Sequence, residues 1–176
     1  MINLGEIMKK IILILFCITI GYSLLHGEEQ ILIPDDAIRF RVIANSNTEE
    51  DQELKMEVKR AVEKELNRLM ALANSKEEAK NLIQNSLPNL KTIVDNYQVD
   101  YQMNYGMNEF PEKEYKGITY DAGKYESLVI TLGTGLGENW WCVMFPPLCL
   151  LEAEESELDN VEYQFFVKNV LEKYLS

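Results

Sequence analysis

The hydrophobic period of this sequence changes along the chain, and that change limits the folds it can adopt. From Glu49 to Leu72, apolar residues recur every three or four positions, which predicts an amphipathic helix. Two shorter apolar stripes follow, one after Ser75 and one after Pro88. They are predicted to be separate helices, because proline favours a helix end or a new helix start. A last helix is predicted at about Asp159 to Leu175. Its predicted inward-facing residues are Val161, Phe165, Val170, Leu171 and Tyr174.

A period of two marks the predicted strands. Ile38 to Val42 alternates apolar residues with arginine, and Val99 to Tyr105 alternates them with polar residues. Lys124 to Leu132 and Asn139 to Phe145 are rich in strand-forming residues, while Gly106 to Gly117 is predicted to be a loop or an irregular hairpin. The order β, α, α, α, β, β, β, α predicts one α+β domain, with a mainly antiparallel sheet and helices packed on one face.

The first residues have the pattern of an export signal. Lys9 and Lys10 precede an apolar run from Ile11 to Tyr22, which at about 12 residues is shorter than the roughly 20 of a spanning helix. Cleavage of the signal and its retention as an N-terminal membrane anchor both remain open. The predicted parts are a signal peptide or anchor at residues 1–27, a linker at 28–36 and the domain at 37–176.

Charge and composition exclude several classes of function. A net charge of −12 argues against a nucleic-acid partner, because binding phosphates requires clustered lysine and arginine. If the signal is cleaved late, the single histidine, His26, is lost with it, and histidine-dependent catalysis and zinc binding are then excluded. The acidic run at 152–157 is interpreted as a solvated segment in preference to a catalytic carboxylate pair. We therefore expect no catalytic residue, metal, cofactor or small-molecule substrate.

Three glycines, Gly133, Gly135 and Gly137, interrupt the last two predicted strands. A phosphate-binding loop would place such glycines at the start of a helix. Here they lead into Trp140 to Val143, which favours a strand. They are interpreted as a turn.

Cys142 and Cys149 flank a predicted tight turn between Phe145 and Pro146. In that hairpin register the two cysteines lie opposite each other, at a separation that permits a disulfide. A cis peptide bond before Pro146 would give a type VI turn. An oxidising compartment favours the disulfide, and two buried reduced thiols are the alternative.

Aromatic and proline residues are concentrated around this turn. Adjacent tryptophans on a strand point to opposite faces, so one can enter the core while the other meets solvent, a helix or a partner. Burial of both in the core is the alternative. The candidates for partner contact are Trp140, Trp141, Phe145, Pro146, Pro147 and Leu148.

Two blocks of sequence resemble a known family. The first is Ile38 to Ser46 with the polar residues that follow it, and the second is Ala122 to Glu126 together with Asn139 to Cys149. Both are similar to the stage II sporulation protein R family, and the similarity covers nearly the whole chain. Matched residues of unknown role are Arg39, Arg41, Asn45, Ser46, Asp51 and Lys55.

The resemblance implies a protein that is made in the forespore and exported across its membrane into the intermembrane space. There it would activate a membrane-embedded aspartic protease of the mother cell, which processes the precursor of the early mother-cell sigma factor. The resemblance implies a signalling role without enzymatic activity or cofactor. Asn47 and Lys124 stand where acidic residues are common in the family. The alternatives are an exported cell-wall hydrolase and an extracytoplasmic binding module.

Overall fold

The computed structural model describes residues 8–17, 33, 37–116, 118–149 and 160–175. The chain divides into two units, residues 1–30 and 31–176. In the first unit, residues 8–17 are helical and exposed. Within the described ranges, no helix combines the length and the apolar character needed to cross a membrane. The end of the expected signal or anchor segment, residues 18–27, and most of the expected linker at 28–36 lie outside the described residues.

In its described residues, the second unit has six strands and three helices. The strands are β1 (Ile38–Ile43), β2 (Tyr101–Phe110), β3 (Lys113–Tyr115), β4 (Ile118–Tyr120), β5 (Gly123–Leu132) and β6 (Asn139–Phe145). The helices are α1 (Glu49–Met70), α2 (Lys76–Asp95) and α3 (Asn160–Leu175).

Four strands form one sheet in the order β2-β5-β1-β6, and β3 pairs with β4 in a separate hairpin. The central pair, β1 and β5, is parallel, whereas β2 with β5 and β1 with β6 are antiparallel. The two helices α1 and α2 follow β1, and the chain then returns to the edge strand β2. The predicted α+β class and mainly antiparallel sheet are confirmed.

One face of the sheet packs against α1 and α2. Phe40 of β1 is level with Leu128 of β5 and Cys142 of β6, and all three are buried. Helix α1 presents Val58, Val62 and other apolar residues to the same cluster. This main core therefore forms where the period-two pattern of the strands meets the helical stripe of α1.

The opposite face of the sheet carries a smaller core. Trp141 and Val143 of β6 pack there with Phe110, and the β3–β4 hairpin and helix α3 contribute to the same cluster. From α3, Tyr163 and Val167 are buried in it. Helix α3 thus supplies buried residues to a cluster distinct from the one under α1 and α2.

The two stripes around Pro88 form one helix, so the prediction of a helix boundary there was wrong. Helix α2 runs through Pro88, which is exposed. Ala79, Ile83, Leu90 and Val94 are all fully buried on the face that packs against the core. Packing along this continuous face outweighs the lost backbone hydrogen bond.

The predicted inward face of α3 was also partly wrong. Val161 and Phe165 are 74% and 68% exposed, while Tyr163 and Val167 are buried. The first turns of α3 are apolar on several sides, so the period alone did not determine which side packs. In addition, β2 continues through Gly106 to Phe110, where a loop was predicted.

Candidate functional site

The polar residues that follow β1 form a hydrogen-bonded start to α1. Thr48 is the N-cap, and its side chain accepts from the backbone N–H of Asp51. The Asp51 carboxylate accepts from Asn45 Nδ2 at 3.0 Å and from the Ser46 hydroxyl. These hydrogen bonds, with that from Ser46 first, lower the pKa of Asp51. The carboxylate therefore holds the segment between β1 and α1 in one conformation.

The next turn of α1 continues this network. Gln52 Nε2 donates to the Ser46 carbonyl at 2.9 Å. Lys55 is buried, and its ammonium donates to Gln52 and, at 3.4 Å, to the carbonyl of Glu138. Burial lowers the pKa of Lys55. Lys55 thereby links α1 to the residue immediately before β6.

The glycine-rich turn fits closely against this block. Asn45 Oδ1 accepts from the backbone N–H of Thr134 at 2.9 Å. A Cβ atom at Gly133 would lie 2.3 Å from Asn45 Oδ1, and one at Gly137 would lie 2.3 Å from the Ser46 carbonyl oxygen. The predicted turn is confirmed, and its glycines permit close approach to another segment of backbone.

Arg39 occupies a cage of aromatic rings on the smaller core. Only 1% of the residue is exposed, and its guanidinium carbon lies 3.3 Å from the centre of the Tyr125 ring. The Trp141 and Phe110 rings lie at 4.8 and 5.1 Å. Nε and Nη1 have no hydrogen-bond partner, and burial lowers the pKa of the group. The ring faces supply electrostatic stabilisation to the part of the guanidinium that lacks hydrogen-bond partners.

Arg41 lies two residues further along the same face of β1. Its Nη1 donates to the backbone carbonyl of Glu109 at 3.3 Å, and its guanidinium lies 5.5 Å from the Phe110 ring centre. Its Nε is buried without a hydrogen-bond partner. Burial lowers the pKa of Arg41. A buried donor left without a partner costs about 1–3 kcal/mol, so this guanidinium is incompletely satisfied.

The tryptophans point to opposite faces, as predicted. Trp140 is half-buried on the helix side, 5.8 Å from the Phe40 ring, and the Lys59 ammonium lies 4.2 Å from its ring centre. Trp141 is buried in the smaller core, 5.4 Å from the Phe110 ring and 5.3 Å from that of Tyr120. Trp141 is therefore packed in the core, which was the alternative to contact with a partner.

The remaining candidates for partner contact are also buried. These are Phe145, Pro146, Pro147 and Leu148. Phe145 packs against Tyr174 of α3, with ring centres 5.6 Å apart. In the described structure, therefore, Trp140 keeps the largest exposed fraction of the six, and its contact with a partner stays a prediction.

Cys142 and Cys149 form a disulfide, with Cα atoms 5.5 Å apart. The peptide bond between Phe145 and Pro146 is cis, as predicted. The Leu148 N–H donates to the Val143 carbonyl at 3.1 Å, so these two residues lie opposite each other, in agreement with the register that placed the cysteines face to face. The disulfide joins the end strand of the sheet to the segment that leaves it.

Little space is enclosed near these groups. A cavity of about 10 Å³ lies between Trp141, Tyr163 and the β3–β4 hairpin, which is room for roughly one water molecule. In the parts of the chain that the structure describes, no group of three or more histidine, cysteine or acidic side chains could hold a metal ion. Two features stand out: the hydrogen-bonded block at the start of α1, and the sheet face on which Arg39 and Arg41 contact aromatic rings.

Comparison with known proteins adds the family. The family model described as stage II sporulation protein R matches residues 34–155. The chain belongs to the stage II sporulation protein R family. The stage II sporulation protein R of Bacillus subtilis (strain 168) is 40% identical over an alignment of 136 residues, and the alignment covers 74% of this chain and 61% of that protein. No solved structure matches.

The six motif residues now separate into two groups. Asn45, Ser46, Asp51 and Lys55 belong to the block that fits against the glycine-rich turn. Arg39 and Arg41 belong instead to the second face of the sheet. The sequence did not indicate that Tyr125 would cover Arg39, because the two residues are brought together only by the parallel β1–β5 pairing.

Proposed function

We propose that this chain is an exported signalling protein of sporulation that acts by contact. It would cross the forespore membrane, enter the intermembrane space and activate a membrane-embedded aspartic protease of the mother cell. That protease would process the precursor of the early mother-cell sigma factor. The observation that carries the proposal is membership of the stage II sporulation protein R family, which supports a role in sporulation.

Two further features support export. Lys9 and Lys10 precede an apolar run, as in signal peptides. The disulfide between Cys142 and Cys149 suits an oxidising compartment. Activation by contact requires that the chain bind the active state of the protease more tightly than the inactive state. The locked α1 start and the disulfide-linked β6 would give such a ligand a fixed shape.

Reconstitution tests the proposal directly. The protease in lipid vesicles and the sigma-factor precursor are incubated with and without the purified full chain, and cleavage is followed over time. We expect cleavage to depend on the chain. Cleavage at the same rate without it would contradict the proposal. A parallel incubation of the chain with peptidoglycan tests the hydrolase alternative, for which released fragments are the expected product.

Export is tested in sporulating cells. A chain lacking residues 1–26 is expected to fold but to remain in the forespore and leave the precursor uncleaved. Normal processing by a form shown to be retained inside the forespore would contradict export. In fractionated cells, the resistance of the intact chain to an added protease gives the matched measurement of its location.

A further inference from the structure

The two edges of the four-stranded sheet differ in how far they are covered. β6 forms one edge, and its end is covered by its own chain, because the Leu148 N–H donates to the Val143 carbonyl at 3.1 Å. β2 forms the other edge and is ten residues long. In the parts of the chain that the structure describes, no strand pairs with the outer side of β2. β2 is therefore the open edge of the described sheet.

The pairing of β2 with β5 determines which backbone groups of β2 point outward. Asp100 immediately precedes β2, and its carbonyl accepts from the Gly133 N–H, so Asp100 faces β5. In an antiparallel pair, successive residues direct their backbone groups alternately towards the partner strand and away from it. The N–H and C=O groups of Tyr101, Met103 and Tyr105 therefore point away from β5. Among the described residues, none donates to or accepts from these outward groups, which are the donors and acceptors that a further strand requires.

β2 lacks the features that normally keep an edge strand from pairing. Natural edge strands are short or bulged, or they carry proline or charged side chains. β2 pairs with β5 without a register shift, contains no proline, and has no charged residue from Tyr101 to Asn108. Because the whole chain carries a net charge of −12, an uncharged run of this length is not explained by composition. The edge is therefore suited to pairing with another strand.

The sequence at this edge is nearly the same when it is read in either direction. It runs Tyr101, Gln102, Met103, Asn104, Tyr105, so Met103 is flanked on each side by an amide and then by a tyrosine. A two-fold axis through Met103 would pair two antiparallel copies with tyrosine opposite tyrosine and amide opposite amide. The tyrosines and Met103 pack against the main core on one face, and the two amides are exposed on the other. Aromatic cross-strand pairs stabilise a sheet, and amides can hydrogen-bond each other.

We propose that β2 is a dimerisation strand, which pairs antiparallel with β2 of a second copy of this chain about a two-fold axis at Met103. The outward N–H and C=O groups of the two copies bind each other, and the two sheets become one continuous sheet. In this register Gln102 lies opposite Asn104 of the second copy, so no like charges face each other. A strand of another protein would use the backbone groups but not the sequence symmetry, and this symmetry is the reason for assigning a second copy. The inference does not depend on the proposed function.

Charges placed on the edge test both the pairing and its register. Gln102→Lys with Asn104→Lys puts lysines directly opposite each other, and Gln102→Glu with Asn104→Glu does the same with carboxylates. Sedimentation velocity of the full chain over a concentration series should show a dimer for the wild type. The dissociation constant should rise at least about tenfold in each double variant. An equimolar mixture of the two variants should recover the wild-type value to within about threefold, because opposite charges then face each other.

Asn81→Lys with Asn85→Lys is the matched control, because both asparagines are exposed on α2 and the change in net charge is the same. Its dissociation constant should differ from the wild-type value by less than about twofold. A wild-type chain that stays monomeric, or edge variants that dimerise as tightly as the wild type, would overturn the proposal. A mixture that does not recover dimerisation would contradict the antiparallel register.

Hydrogen exchange tests the wild-type chain without any substitution. The backbone N–H groups of Tyr101, Met103 and Tyr105 point outward, so they should exchange with water more slowly as the concentration rises and the dimer forms. Those of Gln102 and Asn104 already face β5 and should change little. Equal exchange of the outward N–H groups at low and high concentration would overturn the proposal, and so would slowing that is confined to residues outside β2.

Discussion

Replacement of Trp141 by alanine tests whether this side chain stabilises the core or contacts a partner. Trp141 is 5% exposed and lies within 5.4 Å of the ring centres of Phe110 and Tyr120. It also forms one wall of the cage around the Arg39 guanidinium. Its removal would therefore leave a cavity beside a buried cation.

The expected loss is large. Truncating a buried aromatic residue to alanine costs about 3–5 kcal/mol, and each T-shaped ring pair contributes about 0.5–1.5 kcal/mol beyond burial. We expect Trp141→Ala to lie at the upper end of the first range. With a urea dependence of about 2 kcal/mol per molar, a loss of about 5 kcal/mol should lower the unfolding midpoint by about 2.5 M. Replacing the half-buried Trp140 by alanine should lower the free energy of unfolding by roughly half as much.

Urea unfolding of the oxidised full chain, followed by tryptophan fluorescence and circular dichroism, measures these changes. Leu136→Ala is the matched control, because Leu136 is a large apolar residue that is 81% exposed. Its free energy of unfolding should change by less than about 0.5 kcal/mol. If Trp141→Ala unfolds at the wild-type midpoint but fails to activate the protease, Trp141 contacts the partner and the core assignment is refuted.

Three further predictions concern the turn, the disulfide and the sheet edge. Gly137→Ala should destabilise the chain by about 2 kcal/mol in thermal unfolding, because the new Cβ would meet the Ser46 carbonyl; an unchanged melting temperature would contradict this close approach. Replacing both disulfide cysteines by serine should cost roughly 2.5 kcal/mol, estimated from the closure of a short loop and measured by urea unfolding beside the reduced wild type; equal stability of the oxidised and reduced proteins would refute it. The Tyr101 hydroxyl is partly buried and donates to Asp95 at 2.8 Å, which raises its pKa to about 12. The protonated form is favoured by folding, so this stabilisation is complete below the unfolded pKa of about 10 and is lost as the pH rises from there to about 12; Tyr101→Phe should remove that part of the decline in a pH series of unfolding midpoints.

The predictions from sequence were most accurate where a single local pattern determined the outcome. The apolar stripe from Glu49 to Leu72 predicted the helix, and the 22 residues of α1 agree with it to within two positions. The disulfide followed from a short separation along the chain and from compartment chemistry. In contrast, Pro88 lies inside α2 because the packing of distant residues outweighs a local penalty.

Tertiary packing also determined which side of α3 is buried. Its first turns offer Val161, Tyr163 and Phe165 on different sides, and the periodic pattern gave no preference among them. Tyr163 is selected because the Tyr115 ring, from the β3–β4 hairpin, lies 5.5 Å from it. Tyr115 lies in the segment predicted to be a loop or an irregular hairpin, so the partner of α3 could not be identified from sequence.

The motif residues illustrate why a shared sequence block need not be one site. Arg39 and Asn45 are six positions apart, yet the first faces an aromatic cage while the second binds the turn at Thr134. The two environments meet on β1, which pairs with both β5 and β6. The Asn45 block fixes the turn between those two strands, through Asn45 Oδ1 to the Thr134 N–H and through the backbone of Ala44 and Asn45 to Gly137 and Leu136. Asn45→Ala removes the hydrogen bonds to Asp51 and to the Thr134 N–H, so it should lower the free energy of unfolding by about 1–3 kcal/mol in urea unfolding; an unchanged midpoint would contradict this role of the block.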